Sequence, residues 1–135
     1  LDRGHPVTAV DRDIGQARMA EGAELIAADL EDGSPWPLEG RRFAAVVVAN
    51  YLWRPLFPRL RRSLGDGGVL LYETFALGNE AFGRPRNPDH LLGRGELLRL
   101  AEGLTVVAYQ DGIEAGRKVV QCICAVNGPG PLALP

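Results

Sequence analysis

Val7-Thr8-Ala9-Val10-Asp11 is a short apolar run, rich in β-branched residues, that closes on a carboxylate. Valine and threonine suit a pleated strand, and the acid would stand at the strand's carboxyl end, where ligands gather in open α/β sheets. A carboxylate in that place can accept from both hydroxyls of a ribose. The competing reading of Asp11 is a loop acid or a helix N-cap, and Asp13, directly before the next periodic segment, suits the cap better. Ahead of the run, Leu1-Asp2-Arg3-Gly4-His5-Pro6 reads as the tail of a helix, with Gly4 where a C-terminal cap belongs and Pro6 blocking continuation. On this reading the 135 residues enter a domain one strand and one helix late.

Outward from this run, apolar periodicity alternates between strand and helix without any internal repeat. Residues 14–21 form a short helical pattern stopped by Gly22, and residues 25–28 a strand ending at Asp29. A polar loop over 31–42 carries Gly33, Pro35, Trp36 and Pro37, with Trp36 expected to cover an edge of the core, the alternative being a place in a cleft. Residues 43–49 are continuously apolar, as in a parallel strand buried on both faces. Pro55 and Pro58 suit the first turn of a helix reaching about Leu64, with Leu56, Leu60 and Leu64 as its core stripe. Gly65-Asp66-Gly67-Gly68 turns the chain into a strand over 69–75. The irregular stretch 76–93 is longer than a simple connector, and such loops are usually functional lids or disordered. A helix over 96–101 and strands over 104–110 and 118–126 follow, with 111–117 too short for a helical crossover and so a hairpin connection. The organisation expected is a partial domain over 1–126 and a Gly/Pro-rich, disordered tail over 127–135.

Composition narrows the partners. Seventeen acidic against 15 basic residues leave a net charge of −2, so there is no basic field to attract nucleic acid. Every basic residue except Lys118 is arginine, a bias that reads as base composition, and the group Arg54, Arg59, Arg61 and Arg62 is expected to face water. No run approaches the roughly 20 apolar residues of a membrane span. Cys122 and Cys124 flank Ile123 on one strand face, which suits small core residues better than a disulfide or a zinc site, and points to a cytoplasmic protein. His5 and His90 lack a partner cysteine or paired acid, so neither a metal nor a nucleophile triad is implied.

The order of elements resembles the class I S-adenosylmethionine (SAM)-dependent methyltransferases, an α/β Rossmann-like fold whose sheet has strand order 3-2-1-4-5-7-6 with strand 7 antiparallel. The resemblance runs from Gly4 to Val126 and covers the family's second to seventh strands. It rests on Val7-Thr8-Ala9-Val10-Asp11, on Ile26-Ala27-Ala28-Asp29-Leu30, on residues 43–50, and on Gly67-Gly68-Val69-Leu70-Leu71-Tyr72-Glu73, together with the 18-residue step from Asp11 to Asp29. The family's first strand and its glycine-rich loop have no counterpart in these residues.

The resemblance implies a cofactor site. Asp11 would hold the ribose diol and Arg12 would lie along the adenine edge, unless it is an ordinary solvated arginine. Asp29 would accept from the adenine amino group while the Leu30 N–H donates to the ring, the alternative being loop charge beside Glu31 and Asp32. Asn50 and Tyr51 would border the methionine part of SAM, though Tyr51 also suits packing on the following helix. Residues 76–93 follow the fifth strand, where related enzymes contact substrate; Asn79, Arg84, Arg86, Asn87 and His90 are the polar candidates, against the plain alternative of a solvated loop. Glu73 is one candidate base, with a structural role the stronger reading.

The function implied is methyl transfer from SAM to a small-molecule acceptor. Without the first strand, residues 7–10 and 43–49 would flank a gap of about 9.6 Å, so the chain alone is expected to bind SAM poorly and to be marginally stable or to aggregate. The alternatives are a nicotinamide-type Rossmann oxidoreductase, disfavoured by the terminal antiparallel pair, and a degenerate fold that serves as an interaction surface. Oligomeric state is not legible.

Overall fold

Each apolar run marked out by periodicity becomes a strand in the computed structural model, which describes residues 3–16 and 22–134. The chain divides into two units, Leu1–Glu39 and Gly40–Pro135.

In the first unit β1 (Thr8–Asp11) and β2 (Glu24–Ala27) pair in parallel, with Thr8 opposite Glu24 and Asp11 opposite Ala27. The Glu24 N–H donates to the Val7 carbonyl at 2.9 Å and the Ala28 N–H to the Asp11 carbonyl at 3.0 Å, which extends the ladder at both ends. Gly4 has φ 81° and Gly22 φ 89°, the left-handed conformation that chain reversal requires at those points. Of the helix expected over 14–21, Ile14–Gln16 is a single 3-10 turn, and residues 17–21 lie outside the described residues.

The second unit holds a four-stranded sheet in the order β3-β4-β6-β5, from β3 (Phe43–Ala49), β4 (Leu64–Phe75), β5 (Thr105–Glu114) and β6 (Lys118–Val126). β3 and β4 are parallel, and β6 runs antiparallel to both β4 and β5. This matches the order 4-5-7-6 expected for the last strands of the resemblance. The parallel pair is joined by a 3-10 turn (Arg54–Leu56) and α1 (Phe57–Arg62), while α2 (Glu96–Leu100) precedes β5. α1 ends two residues before the expected Leu64, because Leu64 is already the first residue of β4, opposite Phe43.

The core lies on one face of this sheet. Leu70, Tyr72, Gln121, Ile123 and Ala125 are buried there, beneath Phe57 and Leu60 of α1 and Leu97 of α2. The Phe57 and Tyr72 rings stack with centroids 4.9 Å apart, which fixes α1 on the sheet. The opposite face differs from expectation: Val47 is 68% exposed and Leu71 42%. The continuous apolar run of β3 predicts burial on both faces, yet β3 is the outer strand of its sheet, and α1 and α2 pack on the Tyr72 side. Among the described residues no helix is long and apolar enough to cross a membrane.

The start of β4 is shaped by backbone contact. A Cβ on Gly68 would stand 2.8 Å from the Gly65 carbonyl oxygen and 2.9 Å from that of Phe43, so only glycine lets β4 approach β3 here. Asn127, assigned by composition to a disordered tail, seals the same corner. Its N–H donates to the Gly68 carbonyl (2.8 Å), its carbonyl accepts from Gly67 (2.7 Å), and its Nδ2 donates to the Leu64 and Gly65 carbonyls (3.2 and 3.1 Å). Gly68→Ala is therefore expected to cost about 1–3 kcal/mol, measured as a lower urea midpoint. Gly112→Ala, where an added Cβ meets nothing within 4 Å, should stay within about 0.5 kcal/mol. Equal costs at the two positions would contradict the close-approach explanation.

Candidate functional site

Because β1 and β2 are parallel, their carboxyl ends share one edge, and the acids at those ends lie along it. Asp11 is the last residue of β1, opposite Ala27, and Asp29 lies two residues beyond that partner. Both are exposed. Each uses one oxygen in a local turn: Asp11 Oδ1 accepts from the Asp13 N–H at 3.0 Å, and Asp29 Oδ1 from the Glu31 N–H at 2.9 Å. Such turns orient the carboxylate. The second oxygen of each has no hydrogen-bond partner among the described residues. Asp13 Oδ1 accepts from the Gly15 N–H at 3.1 Å, the capping role expected of it. Arg12 is exposed in the bend after β1. Leu30 is half-buried, and its N–H donates to no described residue. Further along, the Ser34 hydroxyl and N–H hold the Asp32 carboxyl below its ordinary range.

Asn50 and Tyr51 sit at the carboxyl end of β3, in the second unit. Asn50 takes φ 56°, a left-handed conformation that asparagine tolerates better than most residues, and its N–H donates to the Glu73 carbonyl at 2.9 Å. The Tyr51 carbonyl accepts from the hydroxyl of Tyr72, whose buried ring stacks on Phe57. Burial raises the Tyr72 hydroxyl far above its ordinary range, so it stays a donor. The turn from β3 toward α1 is thus held from below by the core.

The stretch between β4 and α2 is built as a closed loop. Ala76 bridges Leu92 in parallel, the Leu77 N–H donates to the Leu92 carbonyl at 2.9 Å, and the Leu92 N–H to Phe75 at 3.0 Å. Asn79, one of the polar candidates of this stretch, is buried and occupied: Nδ2 donates to the Pro85 carbonyl (3.2 Å) and Oδ1 accepts from the Val119 N–H (3.0 Å). Asn87 Oδ1 accepts from the Asp89 N–H at 3.0 Å. Arg84, Arg86 and His90 are exposed.

Two arginines expected to face water are structural instead. Arg54 forks onto Glu96, with Nε 2.5 Å from Oε2 and Nη2 3.0 Å from Oε1, and also donates to the Asp89 and Leu91 carbonyls (3.2 and 3.0 Å). Arg61 Nη1 donates to the Leu100 and Glu102 carbonyls at 3.0 and 3.2 Å, at the end of α2. A planar five-donor group suits carbonyls that converge from separate loops, which is why these arginines, though still partly exposed, turn to protein partners. Gln121 was also missed. Fully buried in β6, its Oε1 accepts from the Leu97 N–H (3.1 Å) and the Tyr109 hydroxyl (3.0 Å), and its Nε2 donates to the Gly93 carbonyl (2.6 Å). The signal was present: Gln121 shares the strand face of Ile123 and Ala125, where a polar residue must find partners. Burial, then Asp111, pushes the Tyr109 hydroxyl up to about 12. Burial, with Glu73 adding, likewise raises the Cys122 thiol, which keeps it protonated and a poor nucleophile.

Arg54 holds the Glu96 carboxyl below its usual 4.5, chiefly through their hydrogen bond. A lowered carboxyl contributes stability that is present above the unfolded value and lost as pH falls through the folded one. Glu96→Gln should therefore cost about 1 kcal/mol at neutral pH, the pair being partly exposed. The two proteins should converge as pH drops below 4.5 and the carboxyl of the parent protonates. Chemical denaturation across pH checks this, and a difference independent of pH would contradict it.

No protein-family model and no curated protein matches the sequence. Solved structures do match the fold. The N-methyltransferase NodS from Bradyrhizobium japonicum WM9 superposes with TM-score 0.65 at 20% identity, over 92% of this chain and 74% of that one. Its complex with S-adenosyl-L-homocysteine gives TM-score 0.65 at 16% identity, over 90% and 66%. The PH0226 protein from Pyrococcus horikoshii OT3 gives 0.67 at 19% identity, over 93% and 73%. The [4+2]-cyclase SpnF gives 0.63 at 12%, over 93% and 67%. The chain therefore spans 66–74% of the length of these proteins. At this divergence the likeness is one of fold, and the chain carries the α/β, Rossmann-like fold of the class I S-adenosylmethionine-dependent methyltransferases.

Proposed function

We infer that this chain belongs to an enzyme that transfers a methyl group from SAM to a small-molecule acceptor. The observation that carries the reading is the β1–β2 edge. Its parallel register brings Asp11 and Asp29 to one end, each with one oxygen fixed in a turn and the other unpartnered among the described residues. The Asp11 oxygen is suited to a ribose diol, with Arg12 beside it. Asp29 and the Leu30 N–H offer an acceptor next to a donor, the pattern that reads an adenine amino edge. Asn50 and Tyr51 are assigned to the methionine part of the cofactor, on a backbone anchored by Tyr72. NodS supports the choice of cofactor, since it is an N-methyltransferase and has been crystallised with S-adenosyl-L-homocysteine.

When bound, SAM supplies an activated methyl group, so the chain's own task is to hold and orient. Glu73 is given no role as a base. Its carbonyl anchors Asn50, and its side chain shares the sheet face of Cys122. The free thiols of Cys122 and Cys124 fit a reducing compartment such as the cytoplasm. An oxidoreductase reading is disfavoured by β6 lying antiparallel between β4 and β5. SpnF, a cyclase on the same fold, makes cofactor binding rather than fold the deciding measurement.

Ahead of Asp11 these 135 residues contain no Gly-x-Gly turn, so weak binding by this chain alone belongs to the same reading. Titration with S-adenosylhomocysteine, followed by amide chemical shifts, should move Asp11 to Asp13 and Asp29 to Glu31 with a millimolar dissociation constant, while NAD moves neither. Asp11→Asn keeps an oxygen for the Asp13 N–H but replaces the other acceptor by an amide donor, so affinity should fall about tenfold. No shift at either turn would overturn the site assignment, and tight stoichiometric binding would overturn the expected weakness.

A further inference from the structure

We propose that residues 77–91 form an acceptor-binding loop and that Arg84 and Arg86 bind an oxyanion, a carboxylate or phosphate, carried on an apolar body. The proposal deepens the methyl-transfer reading and rests on it only for the word acceptor. The loop leaves β4 directly, at the carboxyl edge of the parallel β3–β4 pair, the side on which α/β sheets bind ligands. Its ends meet at the Ala76–Leu92 bridge, and its middle is fastened to β6 by buried Asn79, so it is a compact closed loop rather than a solvated strap.

Pro85 is where Asn79 fastens the loop's own backbone. Its carbonyl accepts from Asn79 Nδ2 at 3.2 Å and the residue is turned inward, half-buried. Arg84 and Arg86 on either side are both exposed, and among the described residues neither guanidinium has a hydrogen-bond or ion-pair partner. Arg54 and Arg61 show what arginines do here when carbonyls are in reach: they bond them. Of the neighbouring carboxylates, Glu80 accepts from the Gly78 N–H at 2.9 Å, Glu96 pairs with Arg54, and exposed Asp89 forms no ion pair with Arg84 or Arg86 among the described residues. Each is a planar, permanently charged group whose donors match an oxyanion, and the two stand two residues apart on one loop. On the same loop Leu77 and Phe82 are 52% and 45% exposed, which gives the ligand's apolar body a surface to rest on.

The test uses the whole chain and two probes, phenylacetate and phenyl phosphate, with the arginine Nε–H resonances as readout. Either probe should shift the Arg84 and Arg86 signals in saturable fashion, the tighter of the two identifying the oxyanion. In Arg84→Gln/Arg86→Gln the affinity should fall about tenfold or more, while Arg62→Gln on α1 should leave it unchanged. Failure of both probes to saturate, or equal losses in the double variant and in Arg62→Gln, would overturn the proposal. S-adenosylhomocysteine binding, measured in parallel, should be the same in the double variant. A chain that binds the probes but not S-adenosylhomocysteine would retain the oxyanion site and lose the methyl-transfer reading.

Discussion

Parallel pairing is the constraint on which the other features depend. A parallel ladder cannot be closed by a tight turn, so each strand must return by a crossover and all carboxyl ends of a sheet fall on one edge. β1–β2 and β3–β4 are both paired in this way. β6 is inserted antiparallel between β4 and β5, which leaves β5 pointing the same way as β4. Polar groups that would be costly inside the sheet are thereby collected at or just past its strand ends: Asp11 and Asp29 in the first unit, and Asn50, Tyr51 and the 77–91 loop in the second.

These edge segments are held in place by polar anchors as well as by packing. Tyr72 reaches the Tyr51 carbonyl, Asn79 ties its loop to β6, Gln121 joins α2 to Tyr109 and Gly93, and Arg54 gathers Glu96 with two loop carbonyls. Polar anchors of this kind stabilise little on balance, but the buried ones, Asn79 and Gln121 among them, penalise any arrangement that leaves them unpaired. Their effect is positional. They hold irregular backbone in one conformation, which a site assembled from loops requires.

What could be read from residues alone was local. Apolar runs located the six strands of the described residues within one or two residues except at two ends, the start of β4 and the end of β5, and Asp13 was identified as the cap because a cap needs only its own neighbours. What escaped was long-range. Arg54 and Glu96 are 42 residues apart, and Asn127 meets Leu64 across 63. No window of sequence contains both partners. Val47 looked doubly buried because its run is continuously apolar, yet exposure is decided by which strands and helices adjoin it. Of the candidate site, the placement of Asp11 and Asp29 at one edge was legible from strand order. The turns that orient their carboxylates became visible only in the structure.

The most direct test of the assignment at β1 is the contact between ribose and Asp11. Intermolecular nuclear Overhauser effects should be recorded on the chain with bound S-adenosylhomocysteine, between the ribose H2′ and H3′ protons and the amides of residues 11–13. Contacts at those amides, and their loss in Asp11→Asn, are the expected result. A bound ligand whose ribose protons report only on other segments would contradict it.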